Sequence, residues 1–200
     1  MSIKIIHTIA KLNEFYKTKF LDKQEDIVLG EGCANPRIVI VGEAPGKDEV
    51  QQGHPFVGKA GKNLDFFLSE LGIDRKDIYI TNAIKYRLKK ISHKSGRFIN
   101  RPATPCDISL NMGILHKEIA ILRPQFIITL GNVPLKAVTN DTKINIGNVH
   151  GKMITVTVDE IMFSLYPLYH PASIIYNPAL KDVYMKDIRN LKAKIFYNLQ

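Results

Sequence analysis

The chain has 200 residues, with 28 Lys and Arg against 19 Asp and Glu, a formal net charge of +9. Hydrophobic residues make up 45% and charged residues 24%, which excludes a disordered or fibrous chain and predicts one globular domain over residues 1–200. The positive surplus points to a polyanionic partner, nucleic acid before an anionic membrane surface, with an unspecific Lys-rich surface as the plain alternative.

Residues 3–16 repeat Ile5, Ile9, Leu12 and Tyr16 at helical spacing, so an amphipathic helix is expected there. Lys4, Lys11, Lys17 and Lys19 are scattered through Met1–Phe20, which therefore lacks the continuous apolar core of a secretory leader. Arg37 to Gly42 reads RIVIVG, a short apolar run ending in glycine, as in a buried parallel strand that feeds a loop. Its Ile38–Val41 segment is the longest apolar run and is far too short to cross a bilayer. A loop over 43–57 follows, then a helix over 58–71 with Leu64, Phe67, Leu68 and Leu71 on one face and Gly72 as its stop. Asp77 to Ile84 reads as a second strand.

Residues 85–101 hold Lys85, Arg87, Lys89, Lys90, Lys94, Arg97 and Arg101 and no carboxylate, so this loop is the expected phosphate contact; a solvated loop is the alternative. Thr104 and Pro105 cap and open a helix with the stripe Ile108, Met112, Leu115, Ile119 and Leu122. Gln125 to Gly131 is a third buried strand, residues 152–169 carry one or two more, and a closing helix runs from about Leu180 to Tyr197. Strands alternating with helices imply a three-layer α/β/α fold around a central, mainly parallel four-stranded sheet, with ligands beyond the strands' carboxyl ends.

The residues suited to chemistry lie at those ends. GEAPGKDEV, residues 42–50, joins a tight glycine–proline loop to the carboxylates of Glu43, Asp48 and Glu49. Phe56 in GHPFVGKAG stands off any periodic stripe, where it is either a satellite core residue or a flat face for a planar ligand. Asn82 ends the second strand, and its amide both donates and accepts, as reading one edge of a base requires. His170 precedes Pro171 in YHPAS, residues 169–173, and is therefore held extended at the end of the last strand. Two cysteines, Cys33 and Cys106, without a CxxC argue against a disulfide framework or a cysteine-built metal site, and a cytoplasmic location is expected.

Taken in this order, GEG (30–32), NPRIVIVGEAPG (35–46), GHPFVGKAG (53–61), IYITNAIKYR (78–87), LRPQFIITLGN (122–132) and YHPASIIYNP (169–178) resemble the uracil-DNA glycosylase superfamily, most closely its family-four enzymes. The resemblance implies hydrolysis of the N-glycosidic bond of uracil in DNA, as in base excision repair, after flipping the base into a pocket. On it, Phe56 stacks on uracil, Asn82 bonds its edge, His170 donates to O2 of the departing base, and Glu43 positions water. Gly42 and Ala44 belong to the substrate loop, and Glu49 lies near C5 of uracil. Lys85, Arg87, Lys89, Lys90, Ser173, Ile174 and Tyr176 are the expected DNA contacts, Ile174 and Tyr176 filling the gap left by the flipped base.

Family-four enzymes hold a four-iron cluster on four cysteines. At the corresponding positions this chain has Phe15, Thr18, Tyr86 and Asn111, so no cofactor is expected. Uracil-containing DNA is the expected partner of a monomer that does not touch membranes. A glycosylase for hypoxanthine, xanthine or a modified cytosine, and a uracil-DNA binder without turnover, are the competing readings.

Overall fold

A computed structural model describes residues 3, 6–173, 177 and 179–197. The first helix, α1 (Ile9–Lys19), starts later than the periodicity suggested, because the Thr8 hydroxyl accepts from the Lys11 amide and caps it there. The strands are β1 (Glu31–Gly32), β2 (Ile38–Gly42), β3 (Tyr79–Asn82), β4 (Lys89–Ile91), β5 (Phe98–Asn100), β6 (Phe126–Leu130), β7 (Ile154–Val158) and β8 (Ile161–Leu168). The further helices are α2 (Lys47–Gln52), α3 (Lys59–Leu71), α4 (Pro105–Leu122), α5 (Asn132–Thr139), α6 (Ile146–Val149) and α7 (Leu180–Tyr197). Helix α2 occupies part of the span expected to be loop, and α5 and α6 follow β6 where no helix was expected.

The main sheet has six strands, not the four expected, in the order β1-β3-β2-β6-β8-β7. The parallel centre, β3-β2-β6-β8, matches the expectation. Two antiparallel edge strands complete it. Strand β1 is two residues long, too short to leave a periodic signal. Strand β7 returns along β8 through Asp159 and Glu160, both at positive φ, the backbone a two-residue hairpin turn requires.

Alternation along β2 sorts the layers. Ile38 and Ile40 face one side, where Leu64, Phe67, Leu68 and Leu71 of α3 and Tyr184, Ile188, Leu191 and Ile195 of α7 cover them. Val39 and Val41 face the other, against Leu115, Ile119 and Leu122 of α4 and Leu135 and Val138 of α5. A third cluster packs α1, through Leu12, Tyr16 and Phe20, on Ile84, Tyr86, Leu88 and Ile114. Helix α4 opens with a reciprocal box in which Thr104 and Asp107 each accept from the other's backbone amide. Among the described residues no helix is long and apolar enough to cross a membrane.

Candidate active site

The carboxyl ends of β2, β3 and β8 meet at a cleft of about 350 Å³. Its lining includes Glu43, Ala44, Glu49, Phe56, Asn82 and His170, so the sequence-predicted site residues from four separate segments come together. Gly42 lies beneath them, paired in register with Asn82. A Cβ at Gly42 would fall 2.4 Å from the Phe56 ring and 2.5 Å from Asn82 Oδ1. Glycine is therefore what lets the aromatic face and the amide converge over the end of β2.

Phe56 is buried, and its backbone sits at φ 55°, unfavourable for an aromatic residue. Two contacts hold it there. Arg75 donates to the carbonyls of Pro55 and Phe56 at 2.5 and 3.1 Å. Gly61 brings α3 so close that a Cβ would stand 1.9 Å from the Phe56 carbonyl oxygen. Arg75 escaped the sequence reading because it sits in an unremarkable charged turn, and only the fold carries it to the 55–56 loop.

Asn82 is 3% exposed, and its surroundings correct one expectation. Lys85 was expected on DNA; instead it is buried and pairs with Glu118 of α4 at 2.8 Å. Its ammonium also donates to the Asn82 carbonyl at 3.1 Å. Glu118 further accepts from the Tyr79 and Thr81 hydroxyls, each at 3.1 Å. Burial, with Glu118 beside it, pushes the Tyr79 phenol far above its ordinary range. The end of β3 is thus held from behind by a buried ion pair with its hydrogen bonds filled.

His170 is partly buried, and burial lowers its pKa below the usual histidine value, which favours the neutral ring. Its Nδ1 accepts from the Ala172 amide at 3.1 Å, which puts the neutral ring's proton on Nε2 as a donor. Glu43 is half-buried, and burial raises its pKa, opposed in part by the Ala103 amide, which donates to it at 3.3 Å. Glu49 uses both oxygens on backbone: Oε2 accepts from Gly46 N–H at 3.0 Å and Oε1 from Gly58 N–H at 2.8 Å. It ties the 43–46 loop to the start of α3 while lining the cleft.

The basic segment is less free than its composition suggests. Besides Lys85, Lys89 pairs with Asp26, and Arg101 makes a two-pronged pair with Asp107. Arg87 donates to the Asn100 side chain at 2.9 Å, and Asn100, unforeseen in the sequence, lines the cleft. Lys90, Lys94 and Arg97 are exposed, and no ion pair found among the described residues includes them. Ser173 follows the His170 turn, its amide donating to the His170 carbonyl at 2.8 Å. Ile174 and Tyr176 lie outside the described residues.

A doubly wound sheet whose carboxyl edge gathers an aromatic face, a two-way amide and a neutral imidazole N–H defines a class: α/β proteins that grip a flat, hydrogen-bonding ring. Residues 29–193 match the model of the uracil DNA glycosylase superfamily, and the chain belongs to that superfamily. It is 34% identical over 183 residues to the type-4 uracil-DNA glycosylase of Saccharolobus solfataricus, covering 90% of this chain and 81% of the relative. The type-4 enzyme of Archaeoglobus fulgidus is 34% identical over 181 residues, 89% of this chain and 84% of the relative. The type-4 enzyme of Thermotoga maritima is 34% identical over 172 residues, with 85% and 83% covered.

Proposed function

We propose that the protein is a monofunctional uracil-DNA glycosylase that hydrolyses the N-glycosidic bond of an extruded deoxyuridine. The observation that carries this reading is the convergence of Phe56 and Asn82 over Gly42, with His170 in the same cleft and its Nε2 proton free to donate. The Phe56 ring stacks on the base. The Asn82 amide donates to uracil O4 and accepts from N3–H; cytosine presents the reverse pattern at those atoms and is rejected.

As the C1′–N1 bond breaks, its electron pair stays on uracil and negative charge builds on O2. His170 Nε2–H donates to that oxygen, an interaction stronger in the transition state than in the ground state. Positive charge builds on the sugar, next to the Glu43 carboxylate. Glu43 orients a water whose oxygen bonds to C1′; the proton that water loses is balanced by the one the departing uracil anion takes up, giving an abasic sugar and free uracil. Release of free base from uracil, hypoxanthine and xanthine duplexes tests the assignment: uracil alone should be released efficiently. Preferential release of another base, or binding without release, would transfer the assignment to the competing readings.

We also propose that this chain folds without its relatives' four-iron cluster. Around Tyr86 and Asn111 the space is taken up by side chains that lack the thiolates an iron–sulfur cluster needs. The Tyr16 hydroxyl donates to Asn111 Oδ1 at 2.5 Å, and Asn111 Nδ2 donates to the Asp107 carbonyl at 2.8 Å and weakly to the Tyr86 hydroxyl at 3.4 Å. Phe20 packs between Tyr16 and Tyr86, with ring centroids 4.7 and 5.1 Å away. Thr18 bonds the Glu14 carbonyl, and Phe15 packs on the same apolar cluster. This set offers no thiolate and does not fit the cluster. Protein purified anaerobically should be colourless and iron-free; stoichiometric iron with a broad band near roughly 400 nm would overturn the proposal.

A further inference from the structure

The β4–β5 hairpin is unusual for an exposed element. Of eight exposed large apolar side chains among the described residues, three crowd onto it: Ile91, Phe98 and Ile99. Ile91 and Phe98 are a cross-strand pair, 59% and 56% exposed. Period-two alternation puts them on the same face as Lys89 and Asn100, the pair next to the body of the protein.

The hairpin's base is pinned at the rim of the cleft. Arg101 N–H donates to the Leu88 carbonyl at 2.9 Å, and Arg101 and Lys89 are tied to Asp107 and Asp26. Asn100 lines the cleft, with Nδ2 3.6 Å from where a Gly46 Cβ would stand. Lys94 and Arg97 lie toward the tip, and Lys90, paired across the strands with Ile99, is on the opposite face from Ile91 and Phe98; all three cations are exposed. The tip is closed by Ser92 N–H to the Arg97 carbonyl at 2.9 Å and by Gly96 at φ 64°.

A hairpin that carries an exposed apolar pair and three exposed cations suits a partner with phosphates outside and flat apolar faces within reach. An acidic protein surface would match the cations and waste Ile91 and Phe98. A duplex opened by base extrusion offers both, because flipping one nucleotide unstacks its neighbours. We propose that the 89–100 hairpin is a DNA-engaging element beside the base pocket, in which Ile91 and Phe98 pack on the nucleotides flanking the extruded one while Lys90, Lys94 and Arg97 hold their phosphates. This rests on the glycosylase reading and adds to it a second contact, separate from the segment after His170.

The test uses the full chain with Ile91→Ser/Phe98→Ser, two exposed positions whose replacement should leave the melting temperature unchanged. Three quantities are compared with wild type. They are affinity for a duplex bearing a tetrahydrofuran abasic analogue, fluorescence of 2-aminopurine beside uracil, and uracil release from a single-stranded trinucleotide whose two flanking positions are base-free tetrahydrofuran residues, which give Ile91 and Phe98 no base to pack on. Duplex affinity should fall about tenfold, within the range of lost base stacking, and the fluorescence rise should shrink, with trinucleotide cleavage far less affected. Lys90→Gln/Lys94→Gln/Arg97→Gln should flatten the slope of log affinity against log salt by about 2.7. Wild-type duplex affinity and fluorescence in the serine variant would overturn the hairpin proposal. Wild-type protein that releases no uracil even from the trinucleotide would overturn the glycosylase reading, while the duplex-affinity arm would still report on the hairpin.

Discussion

The floor of the cleft and the hairpin at its rim are built in opposite ways. The floor is buried and over-determined: Asn82 stands on a buried ion pair, and Phe56 is held at an unfavourable backbone angle by Arg75 and Gly61. The hairpin is pinned at its base and exposed beyond it, with apolar and cationic side chains in water. The difference separates two tasks. Selecting a base requires an amide fixed to within a fraction of an ångström, whereas holding a duplex of any sequence requires charge and adaptable contact. Changes in the floor should therefore alter rate, choice of base or stability, and changes in the hairpin should alter duplex affinity and its salt dependence.

The largest effect on catalysis is expected at His170. His170→Ala should lower kcat by about 10² or more with little change in DNA affinity, because the lost hydrogen bond matters mainly in the transition state. A matching loss of affinity would place His170 among the ground-state contacts.

Glu118→Gln should cost about 3–5 kcal/mol of folding stability in urea unfolding, since it leaves the Lys85 ammonium buried without its counter-charge. Lys85→Met/Glu118→Leu should recover much of that loss. If the double variant is stable but excises uracil poorly, the pair positions Asn82 as well as stabilising the fold.

Asn82→Asp keeps the shape and replaces the amide donor by a second acceptor. Uracil release should fall, and cytosine, whose amino group can donate to a carboxylate, should become a measurable substrate. Equal loss on all bases would show that Asn82 does not read the base edge.

The smallest effect expected is a change of pH profile. Burial raises the Glu43 pKa, so on acidification its carboxylate is lost at a higher pH than an ordinary glutamate's, and the rate should begin to fall there. Glu43→Gln should be slower and should lack that acid limb. A limb retained in the variant would belong to another group.

The same contrast governs what the sequence made legible. Strand β2 and helix α3 were legible because an apolar run ending in glycine and a four-residue stripe stopped by Gly72 are local signals. Glu43, Phe56, Asn82 and His170 were each weak signals alone, at strand ends or in a loop, and became legible as one site only through the family resemblance of their motifs taken in order. Lys85 misled because a cation beside other cations reads as surface, and its partner Glu118 lies a helix away, on the inward face of α4. Asn111 and Glu118 stand at helical spacing from Leu115 and Leu122 on the buried face of α4, but as polar residues they were not counted in its apolar stripe. Strand β1 and helices α5 and α6 were too short to carry a clear period, whereas β7 fell within the 152–169 stretch read as one or two strands. The hairpin was read only as charge, since its apolar residues alternate over just three residues per strand.

The central claim is tested most directly by a single-turnover assay of free uracil release from a uracil-containing duplex, run on wild type and on folded His170→Ala protein side by side. The account predicts rapid release by wild type and release slowed by about 10² or more in the variant at equal DNA occupancy. Near-normal release by His170→Ala, or a wild-type protein that binds the duplex and never frees uracil, would contradict it.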